Sequence, residues 1–126
     1  MARAHAAILD GVWYGVRFIC PACSEGDPRR EGYAPHYIVL PVSNWQPEGY
    51  PPTQRVPQWI FNGNMDRPTF APSVLQRYDY GPNEDRKHFC CHSFVRDGQI
   101  QYLTDCTHAM AGQTVDLPEI DDVPAS

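Results

Sequence analysis

The chain has 126 residues, the length of one ordinary domain, and 42% of them are hydrophobic, so it can build a core without disulfides. Its formal net charge of −5 argues against a nucleic-acid-binding protein, because such proteins usually present a basic face. Thirteen prolines and nine glycines favour strands and turns over long helices. We therefore predict a mostly β fold (α+β with minimal helix) in a single domain over residues 1–126.

The N-terminal stretch MARAHAAILDGVWYGVRFI is the part of the chain that could be mistaken for a targeting segment. Asp10 and Arg17 interrupt its apolar residues, and it is too short for a signal peptide or a membrane span. The sequence therefore predicts a cytoplasmic protein that does not cross a membrane. Disulfides are rare in the cytoplasm, so the five cysteines indicate metal or redox chemistry.

Strand-forming residues cluster in the first third of the chain. We predict strands at residues 12–19 (VWYGVRFI), which run into Cys20, and at residues 36–42 (HYIVLPV). The proline-rich stretch 43–57 and the charged stretch 78–87 are predicted to be loops.

A β-hairpin is predicted around Asp97-Gly98, a dipeptide typical of two-residue turns, with CCHSFV before it and QIQYLT after it. Pairing about this turn sets Cys91 opposite Thr104. The open end of the hairpin should therefore gather residues able to bind metal or transfer protons. These are Cys90, Cys91, His92, Asp105, Cys106 and His108.

The segment after the hairpin carries weaker signals. Residues 107–112 (THAMAG) are predicted to form one short helical turn that Gly112 ends. The acidic tail from about residue 117 is predicted to be extended or frayed.

The sequence Cys20-Pro-Ala-Cys23 suits Zn²⁺, because a C-x-x-C turn points two soft sulfur ligands at one spot. A single C-x-x-C is half a site, and the hairpin base is the natural source of the other half. The predicted metal ligands are Cys20, Cys23, Cys91, Cys106 and His108. Two alternatives are a pair of reduced buried thiols and a thioredoxin-like redox pair, which no βαβ pattern supports.

These residues, with His36 and His92, outnumber the four ligands of one zinc ion. Either four of them close a structural site and the remaining histidines hydrogen-bond elsewhere, or the surplus forms an active site or a second metal site. In the second case the candidate catalytic residues are His92 and Asp105, since a carboxylate beside a histidine can orient it.

The segment NGNMDRPTFAPS combines polar side chains with two prolines, Pro68 and Pro72, that prevent a regular helix. Its polar groups either cap turns or line a pocket opposite the hairpin base. The candidate pocket-lining residues are His36, Asn62, Thr69 and Ser73.

Five short motifs resemble those of a family of small uncharacterised proteins found widely in phage and prophage genomes and also beside bacterial ubiquitin-like conjugation genes. Some members are labelled ammonia monooxygenases, a label that no motif supports. The motifs are C-P-x-C at Cys20–Cys23, W-x-F-N-G at Trp59–Gly63, P-T-F-x-P-S at Pro68–Ser73, C-H-x-F at Cys91–Phe94 and D-C-T-H at Asp105–His108. The family pattern also has a histidine soon after C-P-x-C, whereas here the next one, His36, follows a longer insertion.

The resemblance implies a metal-binding protein of phage or prophage origin, acting in the bacterial host cytoplasm, but it implies no reaction. We expect a zinc-stabilised accessory protein that binds a host or phage protein, as in counter-defence or host takeover. The alternative is a small zinc-dependent hydrolase of amides or phosphoesters, with its site at the base of the 91–106 hairpin. Whether the protein is an enzyme is left open at this point.

Overall fold

Two antiparallel sheets build the protein, which confirms the predicted mostly β fold. The structure is a computed structural model, and it describes residues 2–24, 31–32 and 34–120. The first sheet has the order β1-β2-β3 and the second the order β4-β5-β6-β7-β8. The strands are β1 His5–Leu9, β2 Val12–Ile19, β3 Tyr37–Leu40, β4 Ile60–Phe61, β5 Phe70–Tyr80, β6 Lys87–Arg96, β7 Gln99–Tyr102 and β8 Thr114–Asp116.

One hydrophobic core takes side chains from one face of each sheet. Phe18 of β2 stacks on Phe70 of β5 with ring centroids 5.6 Å apart, and Phe70 stacks on Phe61 of β4 at 5.1 Å. Trp45, from the segment between β3 and β4, meets Phe61 edge-on at 5.5 Å. Such aromatic pairs stabilise a core beyond the area they bury. The buried faces therefore fix which sides of β5 and β6 point to solvent.

The hairpin of β6 and β7 has the predicted turn. Asp97 and Gly98 both have positive φ, 50° and 77°, as a two-residue hairpin turn requires. The predicted pairing of Cys91 with Thr104 is wrong, because β7 ends at Tyr102, opposite Ser93. The sequence gives no warning that the chain leaves the ladder at this point.

A tight turn replaces the expected end of the ladder. The amide of Cys106 donates to the carbonyl of Leu103 at 3.2 Å, and the amide of Thr107 then donates to the carbonyl of Cys90 at 3.0 Å. Cys106 is thereby brought beside His92, and its sulfur accepts the His92 amide hydrogen at 3.2 Å.

Two other expectations are corrected. Residues 107–112 form turns and bends and not a helical turn, and the one helix of the described residues is the short 3-10 helix Asn83–Asp85. The segment that begins the acidic tail is packed on the body, since Leu117 and Ile120 are buried and the Ile120 amide donates to Ala2. Residues 121–126 lie outside the described residues.

No helix in the described part of the chain is long and apolar enough to cross a membrane.

Gly15 of β2 lies where the backbone of β3 comes very close. Its φ is +151°, and a Cβ built on it would lie 2.5 Å from the carbonyl oxygen of Leu40, a distance that real Cβ atoms do not show. The contact is with backbone, so a side chain could not be accommodated by a rotamer change.

We predict that Gly15→Ala lowers the free energy of unfolding by about 3 kcal/mol, since overpacking adds to an unfavourable φ. Gly11→Ala is the matched control, because Gly11 also has positive φ, +78°, but nothing lies within 4 Å of its added Cβ. The control should lose about 1 kcal/mol. Urea unfolding followed by circular dichroism measures both, and equal losses would show that β2 and β3 are not packed this closely.

Candidate functional site

Three polar side chains form a continuous chain of hydrogen bonds on the outer face of the second sheet. His92 Nε2 lies 2.9 Å from Ser73 Oγ, and His92 Nδ1 lies 3.0 Å from Asp105 Oδ2. With the ring proton on Nδ1 and donated to the carboxylate, Nε2 is free to accept the hydroxyl proton of Ser73. These are the contacts of a Ser-His-Asp catalytic triad.

Strand pairing places the first two members. His92 of β6 is directly opposite Leu75 of β5, so their side chains share a face of the sheet. Ser73 lies two residues before Leu75 and therefore on that face. The register of β5 and β6 shifts between Phe70 and Val74, so Ser73 sits at an irregular point of the ladder. Such irregularities are common beside active sites, where they re-aim a side chain.

The turn after β7 places the third member. Leu103 donates its amide to the His92 carbonyl at 2.9 Å, and the turn that follows carries Asp105 over the imidazole. The Asp105 side chain is 58% exposed and that of His92 is 25% exposed. The site is therefore open to solvent on the Asp105 side, and a groove of about 460 Å³ runs from His92 and Asp105 past Gln101 towards Gly112.

His92 and Asp105, the candidate catalytic residues predicted from the sequence, are in direct contact in the structure. Ser73 was named as a pocket-lining residue, and its role as the partner of His92 Nε2 was missed. No G-x-S-x-G or similar motif surrounds Ser73. One signal was present: P-T-F-x-P-S, C-H-x-F and D-C-T-H each contain one member of this triad.

The other pocket-lining candidates make turn and loop contacts. Asn62 Oδ1 accepts the amides of Asn64 and Thr69 at 3.1 Å each. Thr69 Oγ1 accepts the amide of Asp97 at 2.8 Å, which ties the segment before β5 to the hairpin turn. His36 bonds through its backbone to the C-P-A-C segment, where its carbonyl accepts the amide of Cys20.

A thiol cluster, formed by Cys20, Cys23 and Cys91, lies on the opposite, buried side of β6. The sulfur of Cys20 is 3.1 Å from that of Cys23 and 3.9 Å from that of Cys91, and 3.2 Å from the hydroxyl of Tyr102. Hydrogen bonds from Cys23 and Cys91 hold the pKa of Cys20 well below its ordinary value, while the bond to Cys20 raises the pKa of Cys91. The cluster thus favours a thiolate at Cys20, which is stabilised by hydrogen bonds from the other two thiols.

Two sets of three residues could each hold a metal ion: Cys20, Cys23 and Cys91, and Cys91, Cys106 and His108. The donor atoms within each set lie within 4.8 Å of one another, and Cys91 belongs to both. Tetrahedral zinc with bonds of about 2.3 Å separates its sulfur ligands by about 3.8 Å. The Cys20–Cys91 distance of 3.9 Å matches this separation, and the Cys20–Cys23 distance of 3.1 Å is shorter. The predicted ligands therefore form two sets that share Cys91, and either set could hold a metal ion.

His108 offers a second indication of a metal. Its Nε2 is buried and has no hydrogen-bond partner among the described residues, whereas its Nδ1 accepts the amide of Met110 at 3.2 Å. Burial lowers the pKa of His108, which favours the neutral ring that metals bind. An unpartnered buried nitrogen is costly. A metal ion would satisfy Nε2 once the ring proton moves to Nδ1, which ends the bond from the Met110 amide.

Cys90 is separate from both sets. It is buried, but its amide donates to the hydroxyl of Thr107 at 2.9 Å and its carbonyl accepts the Thr107 amide. It is therefore the natural control for experiments on the other cysteines.

Comparison with known proteins gives a family match. The family model described as "bacterial ubiquitination-like system serine protease (BubE)" matches residues 34–103, a range that contains Ser73 and His92 and ends just before Asp105. No curated protein and no solved structure matches the chain. Since the matched range covers more than half of the 126 residues, the protein belongs to the BubE family.

Proposed function

We propose that the protein is a serine hydrolase that cleaves peptide or amide bonds in a protein partner, with Ser73 as the nucleophile. The observation that carries the proposal is the unbroken hydrogen-bond chain from Ser73 through His92 to Asp105. The description of the family as serine proteases supports the same reaction class.

The geometry suits acylation. Ser73 Oγ attacks the carbonyl carbon while His92 Nε2, 2.9 Å away, removes the hydroxyl proton as general base. The resulting imidazolium is stabilised by the Asp105 carboxylate, which keeps its own charge throughout. His92 then donates the proton to the departing amine, and an acyl group remains on Ser73.

Deacylation uses the same residues in reverse. His92 takes a proton from water, the hydroxide adds to the acyl carbon, and the protonated imidazole returns the proton to Ser73 as the ester bond breaks. The developing oxyanion needs N–H donors. The backbone amide of Ser73 is one candidate donor, whereas the Trp59 indole N–H already donates to the Ser73 carbonyl at 3.2 Å.

We further propose that the thiol cluster holds one structural zinc ion, bound by Cys20, Cys23, Cys91 and His108. We assign the fourth position to His108 because its Nε2 has no other partner, while the Cys106 sulfur already contacts both the amide and the carbonyl of His92. Binding through Nε2 requires the ring proton on Nδ1, so the Met110 bond would be lost. When bound, zinc would supply a cross-link between the first sheet and β6.

The contact between Ser73 and His92 favours the hydrolase over the accessory protein that acts only by binding. For the hydrolase, a serine hydroxyl beside His92 replaces zinc-bound water as the proposed nucleophile, since the thiol cluster lies on the other face of β6. The expectation of a host or phage protein as partner remains a proposal, and in it the partner is the protein that is cleaved.

We predict that a fluorophosphonate probe labels Ser73 and that Ser73→Ala abolishes the label, because an activated serine reacts with such electrophiles. Ser93→Ala is the matched control: Ser93 neighbours His92 but is buried on the opposite face, and its hydroxyl has no hydrogen-bond partner among the described residues. It should label at the rate of the unaltered protein. Peptide mapping by mass spectrometry locates the adduct. A folded protein that stays unlabelled, or labels elsewhere, would refute the triad.

For amide or ester substrates, we expect Ser73→Ala and His92→Ala each to lower kcat by roughly a thousandfold or more. The double variant should be no worse than either single variant, since the two residues act as one unit. Additive losses in steady-state kinetics would mean that Ser73 and His92 act independently.

For the metal, native mass spectrometry should find about one zinc per chain. We expect Cys20→Ser and His108→Ala to lose metal and stability, because zinc binding contributes on the order of 10 kcal/mol to folding in small sites. Cys90→Ser should keep both. Equal melting temperatures and metal contents for Cys20→Ser and Cys90→Ser would show that the ligands are wrongly assigned.

A further inference from the structure

The described residues leave one edge of β5 open. On one side β5 pairs with β6 at Phe70, opposite Val95, and then without a break from Val74, opposite Ser93, to Tyr80, opposite Lys87. On the other side it pairs with β4 only at Phe70 and Ala71. No strand in the described part of the chain covers the remaining edge, from Ser73 onwards.

The backbone groups that face this open side can be identified from β6. The amides and carbonyls of His92 and Cys90 bond to residues 103–107, on the side away from β5. Their partners across the ladder, Leu75 and Arg77, are therefore in non-hydrogen-bonded pairs. The N–H and C=O groups of these two residues consequently point to the open edge, and none of them bonds to a described residue.

The open edge begins at the nucleophile. The Ser73 carbonyl also faces away from β6, where the Trp59 indole reaches it. Ser73 Oγ has the imidazole of His92 on its β6 side, so a carbonyl carbon that arrives from the open edge reaches Oγ without being blocked by the base. A segment paired with Leu75 and Arg77 thus leads directly to the reacting atoms.

We infer that the substrate is an extended polypeptide segment that pairs its backbone with Leu75 and Arg77 as an added strand; this inference rests on the proposed function. Addition of a strand to a sheet edge is a common mode of peptide recognition. Antiparallel pairing is the commoner kind, and it lays the acyl side of the scissile bond along the edge. β4 and Trp59 cover the edge on the N-terminal side of Ser73. The strand pairing therefore recognises only the acyl side of the scissile bond.

The side chains beside the edge indicate what the segment looks like. Leu75 is 46% exposed on the face that carries the triad, so alternate residues of the segment should be apolar. Arg77 and Asp79 are exposed and charged, and such charges discourage two copies of the chain from pairing through the same edge. A separate polypeptide is thus the occupant that we favour over a second copy.

The test uses the unaltered protein and alters the peptide. A tryptic peptide mixture from a bacterial lysate is incubated with the protein, and mass spectrometry identifies a cleaved peptide. That peptide is then remade with single backbone N-methyl groups at successive positions on the acyl side, leaving out the scissile bond. An N-methyl group removes one hydrogen-bond donor and blocks close strand approach.

We expect kcat/KM to fall about tenfold for methylation at two positions that are two residues apart, and to change less than twofold for the position between them. This period of two is the signature of an added strand. A uniform effect, or none, overturns the inference. Hydrolysis of p-nitrophenyl acetate, which needs no strand, reports separately on the triad. Ester hydrolysis without any peptide cleavage would therefore reject this inference and leave the serine hydrolase standing, and failure of both would reject the two together.

Discussion

The pairing of β5 with β6 is the constraint on which both candidate sites depend. Because side chains alternate across a strand, the neighbours Cys91 and His92 point to opposite faces of the sheet. Cys91 joins the buried thiols, and His92 meets Ser73 on the outer face. A shift of one residue in this register would exchange the two faces and destroy both sites.

In the turn after β7, two neighbouring residues again have separate roles. Asp105 reaches the imidazole of His92, and its neighbour Cys106 lies against the backbone of His92, with sulfur 3.2 Å from both the amide nitrogen and the carbonyl oxygen. Two dipeptides, Cys91-His92 and Asp105-Cys106, thus each give one residue to the triad and one to the sets of residues that could hold a metal ion. The crowding of cysteine and histidine at the hairpin base follows from this arrangement.

The thiol cluster also explains how a small sheet holds a triad that is partly exposed. A catalytic constellation needs its supporting residues fixed to within about 0.5 Å. Tyr102 contributes to this from β7, because its hydroxyl contacts the Cys20 sulfur at 3.2 Å and accepts the Ala22 amide at 3.1 Å. A metal ion on the same thiols would tie the first sheet to the strand that carries His92.

Local rules predicted the parts of this structure that depend on neighbouring residues. Asp97-Gly98 specified the hairpin turn, and the proline spacing around Pro68 and Pro72 specified an extended segment. The end of the ladder at Tyr102 could not be predicted from the sequence. The turn that begins at Leu103 replaces further pairing because it is stabilised by contacts with β6, such as the bond from the Thr107 amide to the Cys90 carbonyl. The role of Ser73 was not predicted because its partner, His92, lies on another strand. The register between the two strands shifts at an irregularity, and such a shift cannot be derived from one sequence.

The open edge of β5 completes the functional picture. The buried face of the second sheet holds the thiols and the core, and the outer face holds the triad. The edge between them presents backbone groups of Leu75 and Arg77 that bond to no described residue, beside the proposed nucleophile Ser73. Each of these surfaces is generated by the same two strands.

The most direct test of the central claim is a crystal structure of the protein after reaction with a fluorophosphonate. The account predicts a phosphonyl group on Ser73 Oγ, with His92 Nε2 within hydrogen-bond distance of that group and Asp105 on Nδ1. An unmodified Ser73 in a reacted protein, or an imidazole of His92 turned away from Ser73 and towards the thiols, would contradict it.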